Sequence, residues 1–172
     1  GILNGTTNYI LSEMYKTNFD FINVLKDTQK KGYAEANPKN DIEGIDTAHK
    51  LAILSVICFG IKFNFNNVIY KGISDINNQD IIFAKQLGYK IKLVGSSELQ
   101  KNKITSVVEP TLVKVSSKLA NVEGIQNGIK IETDYLSSLF IEGEGAGGKA
   151  TASSIISDLL EIAKDSNINS LG

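Results

Sequence analysis

An almost uninterrupted apolar run from Leu51 to Phe59 constrains the fold of this sequence more than any other feature. It ends a helical pattern that begins at Asp41 and stops at Gly60, and it is apolar nearly all round, which predicts a buried helix. The run is far shorter than the ~18 residues of a membrane span, so we expect no membrane partner. Other parts of the chain must cover this helix, and 172 residues suffice for one domain with its own core.

Further helical patterns lie on both sides of this segment. They predict a first helix capped by Thr6 or Thr7, a second capped by Asp20 and ended by Gly32, one over 79–88 and a last one over 149–164. Residues 33–40 contain an Asn-Pro dipeptide and lack periodicity, so we predict a loop there.

Strand patterns occupy the middle and the later part of the chain. We predict strands over 68–73, 89–94, 104–115, 124–132 and 135–142. The alternation over 89–94 predicts one solvated face, and Pro110 predicts a bend or a sheet edge. The fold class is therefore α+β, with a mixed or antiparallel sheet covered by helices on one face.

The ionisable residues exclude several classes of function. A net charge of −1 gives no basic surface for nucleic acid. Cys58 is the single cysteine and no His, Cys and carboxylate cluster has ligand spacing, so we expect no metal site. The chain has no arginine, so lysine, backbone N–H groups or hydroxyls must bind any carboxylate or phosphate.

The strongest candidate site is the loop and helix start from Gly32 to Lys50. Asp46 and Lys50 are four residues apart, so they share a helix face and can pair. An ordinary exposed ion pair explains the same spacing. A function as proton donor is favoured because the apolar run begins directly after Lys50: burial disfavours the charged amine while Asp46 favours it.

Two glycine-containing turns are weaker candidates. Residues 143–148 spell G-x-G-x-x-G between a predicted strand and a helix, but no further strand with an acidic residue about 20 positions on follows. We therefore reject a dinucleotide-binding fold and expect either a tight connection or bare backbone that approaches a ligand. Residues 4–7, Asn-Gly-Thr-Thr, are either a helix cap or a corner that binds a substrate carboxylate.

Four stretches together resemble the homoserine dehydrogenase family. They are the opening GILNGTTNYI, the loop GYAEANP from Gly32, the helix start DIEGIDTAHK from Asp41, and GEGAGGKATAS from Gly143. The resemblance covers essentially the whole chain in order. It implies the substrate-binding and dimerisation domain of such an enzyme, over residues 1–172.

The resemblance also implies roles for individual residues. The implied activity is NAD(P)-dependent interconversion of aspartate 4-semialdehyde and homoserine, on the route to threonine, methionine and isoleucine. The catalytic residues would be Lys50, as proton donor, and Asp46; the substrate-binding residues Glu35, Asp46, Asp41, Thr6, Gly5 and Tyr33; and the cofactor-binding residues Gly32, Glu35 and Gly147. The carboxylates suit the ammonium group of an amino-acid substrate.

The same resemblance sets expectations for the intact protein. The family's nucleotide-binding Rossmann domain precedes the opening motif, so we expect this chain to be a piece of a longer protein and inactive alone. NADP or NAD would be bound mainly by that domain. The enzyme would be a cytoplasmic homodimer joined through the sheet of this domain. The alternatives are a non-catalytic small-molecule sensor or dimerisation module, and a dehydrogenase for another hydroxy amino acid.

Overall fold

The computed structural model describes residues 1–60, 62, 64–135, 137–145 and 147–164. Within them the elements are α1 (Gly5–Thr17), α2 (Phe21–Lys30), α3 (Lys39–Ile42), α4 (Ile45–Phe59), a 3-10 turn (Phe65–Asn67), β1 (Val68–Tyr70), α5 (Asn78–Gln86), β2 (Tyr89–Gln100), β3 (Lys103–Lys114), α6 (Lys118–Asn121), β4 (Gln126–Thr133), β5 (Ser137–Glu144) and α7 (Gly148–Ala163). The fold class is the predicted α+β.

The strands form a small mixed sheet and a separate hairpin. In the sheet the order is β1-β3-β2, with β1 parallel to β3 and β2 antiparallel to it. β4 and β5 pair antiparallel, and Ile2 bridges to Gly128 of β4, which attaches the start of the chain to this hairpin. Helices α1, α4 and α5 pack against β2.

Pro110 lies at a local sheet edge, which is one of the two alternatives predicted for it. β1 pairs with β3 only over residues 106–108, and the Val108 carbonyl accepts the Lys71 N–H just past the end of β1. Residues two apart in a strand direct their backbone groups to the same side. The missing N–H of Pro110 therefore falls beyond β1, where it costs no ladder hydrogen bond.

The predicted helix from Asp41 to Gly60 is two helices, because Gly44 interrupts it. Gly44 has φ +80°, and a Cβ there would lie 3.3 Å from the Lys71 carbonyl oxygen. The apolar run in α4 is buried on one side only, since Ile53 and Ile57 are more than half exposed. The prediction of an all-round buried helix is wrong for this chain taken by itself.

The caps of the first two helices are both side-chain oxygens. Asp20 caps α2 as predicted, accepting the N–H of Asn23. The cap of α1 is Asn4, not Thr6 or Thr7: its side chain accepts the N–H of Thr7 at 2.8 Å. A first turn that begins at Gly5 leaves both threonines inside the helix.

A lysine lies inside the fold, on the face of β2 predicted to be solvated. Lys92 is 1% exposed, and its ammonium donates to Asn8 Oδ1 at 2.8 Å, Ser12 Oγ at 3.2 Å and the Val122 carbonyl at 2.7 Å. Asn8 in turn donates to the carbonyls of Val122, Gly124 and Gln126. α1 and the segment that leads into β4 cover this face, so the predicted exposure is wrong at Lys92.

The main core lies between α1, α4, α5 and the three-stranded sheet. Its buried members include Leu3, Ile10, Leu11, Met14, Ala48, Leu51, Ile73, Ile81, Leu93 and Val108. In α7, by contrast, every residue whose side chain is described is exposed. No helix of the described residues is both long and apolar enough to cross a membrane.

Candidate active site

Lys50 and Asp46 form the ion pair predicted from their spacing. Lys50 Nζ lies 2.8 Å from Asp46 Oδ2, and the two side chains are 43% and 31% exposed, so solvent and solutes can approach the pair. Lys50 also donates to the carbonyl oxygen of Leu3 at 3.2 Å. These two acceptors use two of the three N–H groups of the ammonium.

Asn4 brings a second carboxylate to the pair. Its Nδ2 donates to Asp41 Oδ1 at 2.7 Å and to Asp46 Oδ2 at 2.9 Å. Its Oδ1 accepts from the backbone and hydroxyl of Thr7, so one buried amide caps α1 and joins two acidic side chains. Because protein carboxylates occupy the Asn4 donors, this side chain is not the predicted seat for a substrate carboxylate.

The loop after α2 is attached to the start of α1. Thr6 Oγ1 donates to the Tyr33 carbonyl at 2.8 Å, and Gln29 Nε2 donates to the Glu35 carbonyl at 3.0 Å. The Tyr33 and Glu35 side chains are exposed. Gly32 has φ +78° with open space around its Cβ position, so the loop leaves α2 through a conformation that favours glycine.

The glycine turn after β5 is connected to the same site. A Cβ on Gly145 would lie 1.9 Å from Nδ2 of Asn127, so the backbone there packs directly on the asparagine amide. Asn127 Nδ2 donates to the Leu3 carbonyl at 3.3 Å, the same oxygen that accepts from Lys50. Gly147, with φ +129°, precedes α7, which has no side-chain cap. Ala146 lies outside the described residues.

Gly5 is required where α1 passes the segment before β4. A Cβ at Gly5 would lie 2.8 Å from the Ile125 carbonyl oxygen, closer than real Cβ contacts. Hydrogen bonds and one ion pair bring Asp41, Asp46 and Lys50 together around Asn4, and they connect Thr6 of α1 to the Tyr33 carbonyl of the loop. Gly5 precedes Thr6 in α1, Gly32 and Glu35 lie on either side of Tyr33 along the loop, and Gly147 follows the glycine turn.

Sequence reasoning missed two asparagine roles in this site. Asn4 was predicted only as part of an anion-binding corner or a cap, and Asn127 carried no signal because it lies in an ordinary strand pattern. Within the described residues, no group of three or more His, Cys, Asp and Glu side chains could hold a metal ion.

Comparison with known proteins shows which family the chain resembles. The family model described as homoserine dehydrogenase matches residues 1–160. The Helicobacter pylori homoserine dehydrogenase is 44% identical over 172 residues, which is 100% of this chain and 41% of that protein. The Methanocaldococcus jannaschii homoserine dehydrogenase is 44% identical over 162 residues, covering 94% of this chain and 47% of that protein.

Solved structures agree with the sequence comparisons. The crystal structure of S. aureus homoserine dehydrogenase at pH 7.0 superposes with a TM-score of 0.91 at 41% identity, over 98% of this chain and 43% of that chain. The Thiobacillus denitrificans homoserine dehydrogenase superposes with a TM-score of 0.89 at 45% identity, over 92% of this chain and 37% of that chain. The chain thus spans about two fifths of the length of these relatives. Because the family model and these relatives match nearly all of it, the chain belongs to the homoserine dehydrogenase family.

Proposed function

We propose that this chain is the substrate-binding and dimerisation domain of a homoserine dehydrogenase. Together with a nucleotide-binding domain it would interconvert aspartate 4-semialdehyde and homoserine, a step in threonine, methionine and isoleucine biosynthesis. The observation that carries the proposal is the Asp46–Lys50 pair, held at the open start of α4 with one N–H of the lysine not used by Asp46 or Leu3.

Lys50 acts as the proton donor in the reduction. Its remaining N–H points to the carbonyl oxygen of the semialdehyde, which becomes negatively charged as the carbonyl is reduced. The nicotinamide of NAD(P)H supplies the hydride to the aldehyde carbon when it is bound. Lys50 then protonates the oxygen, and Asp46 at 2.8 Å orients the ammonium before the transfer. A positioned acid of this kind contributes about 10²–10⁴ in rate.

The acidic residues bind the substrate ammonium. Asn4 holds Asp41 and Asp46 side by side through one oxygen of each, which leaves their second carboxylate oxygens for other donors. Glu35 adds an exposed carboxylate on the loop that Thr6 attaches to α1. Tyr33 on this loop and Thr6 and Gly5 in the first turn of α1 are the other substrate-binding residues.

The residues proposed to bind NAD(P) include glycines whose backbone a cofactor can approach closely. Among the described residues beyond their chain neighbours, no heavy atom lies within 4 Å of the Cβ positions of Gly32 and Gly148, and the nearest to that of Gly147 is Glu144 Oε2 at 4.0 Å. Bare backbone beside the uncapped start of α7 can approach a flat ring or its carboxamide, and the Glu35 carboxylate can accept from a hydroxyl or amide. Gly32, Glu35 and Gly147 would thus hold one end of NAD(P), and the nucleotide-binding domain the rest.

The apolar side chains exposed on the strands are consistent with the proposed homodimer. Ile69 of β1, Leu112 of β3 and Ile141 of β5 are each more than half exposed. Exposed apolar side chains on strands are typical of surfaces that another chain covers.

The test of the proposed function is Lys50→Ala in the full-length enzyme. We expect kcat to fall by about 10²–10⁴ with semialdehyde and NADPH, because the proton donor is lost. The matched control is Lys71→Ala, which removes another lysine paired with an aspartate four residues away, Asp75 at 3.3 Å. Wild-type kcat in Lys50→Ala would refute the assignment, as would turnover by the isolated chain without a nucleotide-binding domain.

A further inference from the structure

We infer that Asn127 is a positioning residue for the reaction, because it fixes the Leu3 carbonyl that orients the Lys50 ammonium. The inference rests on the proposed role of Lys50 as proton donor. It assigns a task to a residue of β4, more than seventy positions from Lys50 in the sequence, and to the glycine turn packed against it.

The Leu3 carbonyl is held from two sides. It accepts from Lys50 Nζ at 3.2 Å and from Asn127 Nδ2 at 3.3 Å, so both of its lone pairs are used. The neighbouring residue Ile2 exchanges two backbone hydrogen bonds with Gly128, at 2.7 and 3.0 Å. The start of the chain therefore lies beside β4 in a fixed register, and the Asn127 amide fixes the next carbonyl along it.

Gly145 confines the Asn127 side chain. The Cβ position of Gly145 lies 1.9 Å from Nδ2 and 2.5 Å from Cγ of the asparagine. Any side chain at position 145 would displace the amide from the Leu3 carbonyl. The turn thus contributes to the site through its packing, in addition to any contact with a cofactor.

A buried oxygen shows that packing alone does not explain an asparagine here. Asn127 Oδ1 is buried and has no hydrogen-bond partner among the described residues. A buried polar atom without a partner destabilises the folded state. Leucine has a similar shape and no polar atom that needs a partner. The hydrogen bond from Asn127 Nδ2 to the Leu3 carbonyl therefore explains why an asparagine occupies this position.

The Leu3 carbonyl determines the direction in which Lys50 can deliver a proton. Within the described residues, the hydrogen bonds of Lys50 are to Asp46 on its own helix and to Leu3 outside it. Leu3 therefore sets the rotation of the ammonium about the Lys50–Asp46 axis, and with it the direction of the third N–H. Loss of Asn127 should disturb proton delivery while leaving the carboxylates of Asp41 and Glu35 in place.

The test uses the full-length enzyme with Asn127→Leu and, as a variant that adds no bulk next to Gly145, Asn127→Ala. The matched control is Asn121→Ala, since Asn121 also donates to a backbone carbonyl at 3.3 Å but is exposed on α6.

We expect kcat to fall roughly 10- to 100-fold in both Asn127 variants, as for a small misplacement of a reacting group. The KM for semialdehyde should change less than about twofold, and the solvent deuterium isotope effect on kcat should rise, because proton transfer becomes slower than the other steps. Asn121→Ala should match wild type in all three.

Parallel measurement of Lys50→Ala separates the two proposals. If Lys50→Ala loses activity while Asn127→Ala retains wild-type kcat and isotope effect, the positioning role is refuted and the proton donor stands. Full activity in Lys50→Ala refutes both. A change confined to KM in the Asn127 variants would also refute positioning, because it would mean that Asn127 acts on substrate binding. Where Asn127→Leu does not fold, Asn127→Ala decides.

Discussion

Lys92 shows how a single charged residue can join elements inside this fold. Its three acceptors are neutral and come from α1 and from Val122, so one ammonium links a helix, a strand and the segment before β4. Burial, with a smaller contribution from the nearby positive charge of Lys90, lowers the pKa of Lys92 to about 8, although Glu123 acts in the opposite direction. Burial of the charged ammonium therefore costs free energy in the folded state.

This cost predicts a stability that depends on pH. The folded pKa of Lys92 is about 8 against an ordinary value of 10.5, so between these values the unfolded chain binds more protons than the folded one. The free energy of unfolding should therefore rise with pH across this window, by up to about 3 kcal/mol. We expect urea unfolding to show the rise in wild type and to lose it in Lys92→Met.

Lys130→Met is the control for that experiment, because Lys130 is exposed and its ion pair is with nearby Glu132. Lys92→Met should also be less stable than wild type at neutral pH, since Asn8 Oδ1 and the Val122 carbonyl lose a donor. An unchanged pH slope in Lys92→Met would show that another group titrates.

Single residues were predictable from the sequence where their partners are local. The Asp46–Lys50 pair followed from helical spacing, and Asp20 from its position before an amphipathic segment. Asn4 contacts carboxylates 37 and 42 residues away, and Lys92 contacts Asn8 at a separation of 84. No local pattern encodes such contacts, because they depend on how α1 packs against the rest of the fold.

At the scale of elements, the crossing of β1 past α3 depends on Gly72. A Cβ at this position would lie 2.1 Å from the Ile42 carbonyl oxygen and 2.3 Å from Glu43 Cα, both backbone atoms that cannot move independently. The next residue, Ile73, donates its N–H to the same Ile42 carbonyl and is fully buried. The turn between α3 and α4, which follows Asp41 and leads to Asp46, therefore rests directly on this glycine.

Gly72→Ala should destabilise the chain by about 2 kcal/mol or more, because overpacking against backbone forces a shift of α3. Gly143→Ala is the matched control: it also adds one methyl group to a glycine, but no heavy atom of the described residues beyond its chain neighbours lies within 4 Å of its Cβ position. Urea unfolding followed by circular dichroism measures both. Equal stabilities of the two variants would mean that the backbone near Ile42 yields without cost.

Elements were predicted well in kind and less well in extent. The helices over 79–88 and 149–164 and the strands over 124–132 and 135–142 correspond to α5, α7, β4 and β5 within a few residues. The helix from Asp41 was predicted as one piece, since the break at Gly44 depends on the Lys71 carbonyl that packs against it. The strand over 89–94 is twice as long in β2, because pairing with β3 continues through polar residues to Gln100.

At the scale of the whole molecule, the site is assembled from segments far apart in the sequence. The first residues supply Asn4 and the Leu3 carbonyl, α3 and α4 supply Asp41, Asp46 and Lys50, and β4 supplies Asn127. The core cluster holds α1, α4 and the sheet as one unit, so these segments are fixed relative to each other. Many of the exposed apolar side chains, in contrast, lie on α7, on the strands and on the open side of α4.

Helix α7 should become protected only in the full-length protein. Its apolar residues Ile155, Ile156, Leu159, Leu160 and Ile162 are each more than half exposed. An isolated helix of about this length is marginal in water without packing, so its amides should exchange quickly in the isolated chain. If the nucleotide-binding domain or a second subunit covers this face, exchange over 148–163 should slow by at least about a hundredfold in the full-length protein, a protection of about 2.7 kcal/mol. Hydrogen–deuterium exchange with mass spectrometry measures this, with the peptide over 5–17 as an internal reference that the core protects in both forms. Equally slow exchange of 148–163 in the isolated chain would show that α7 is stable without any partner surface.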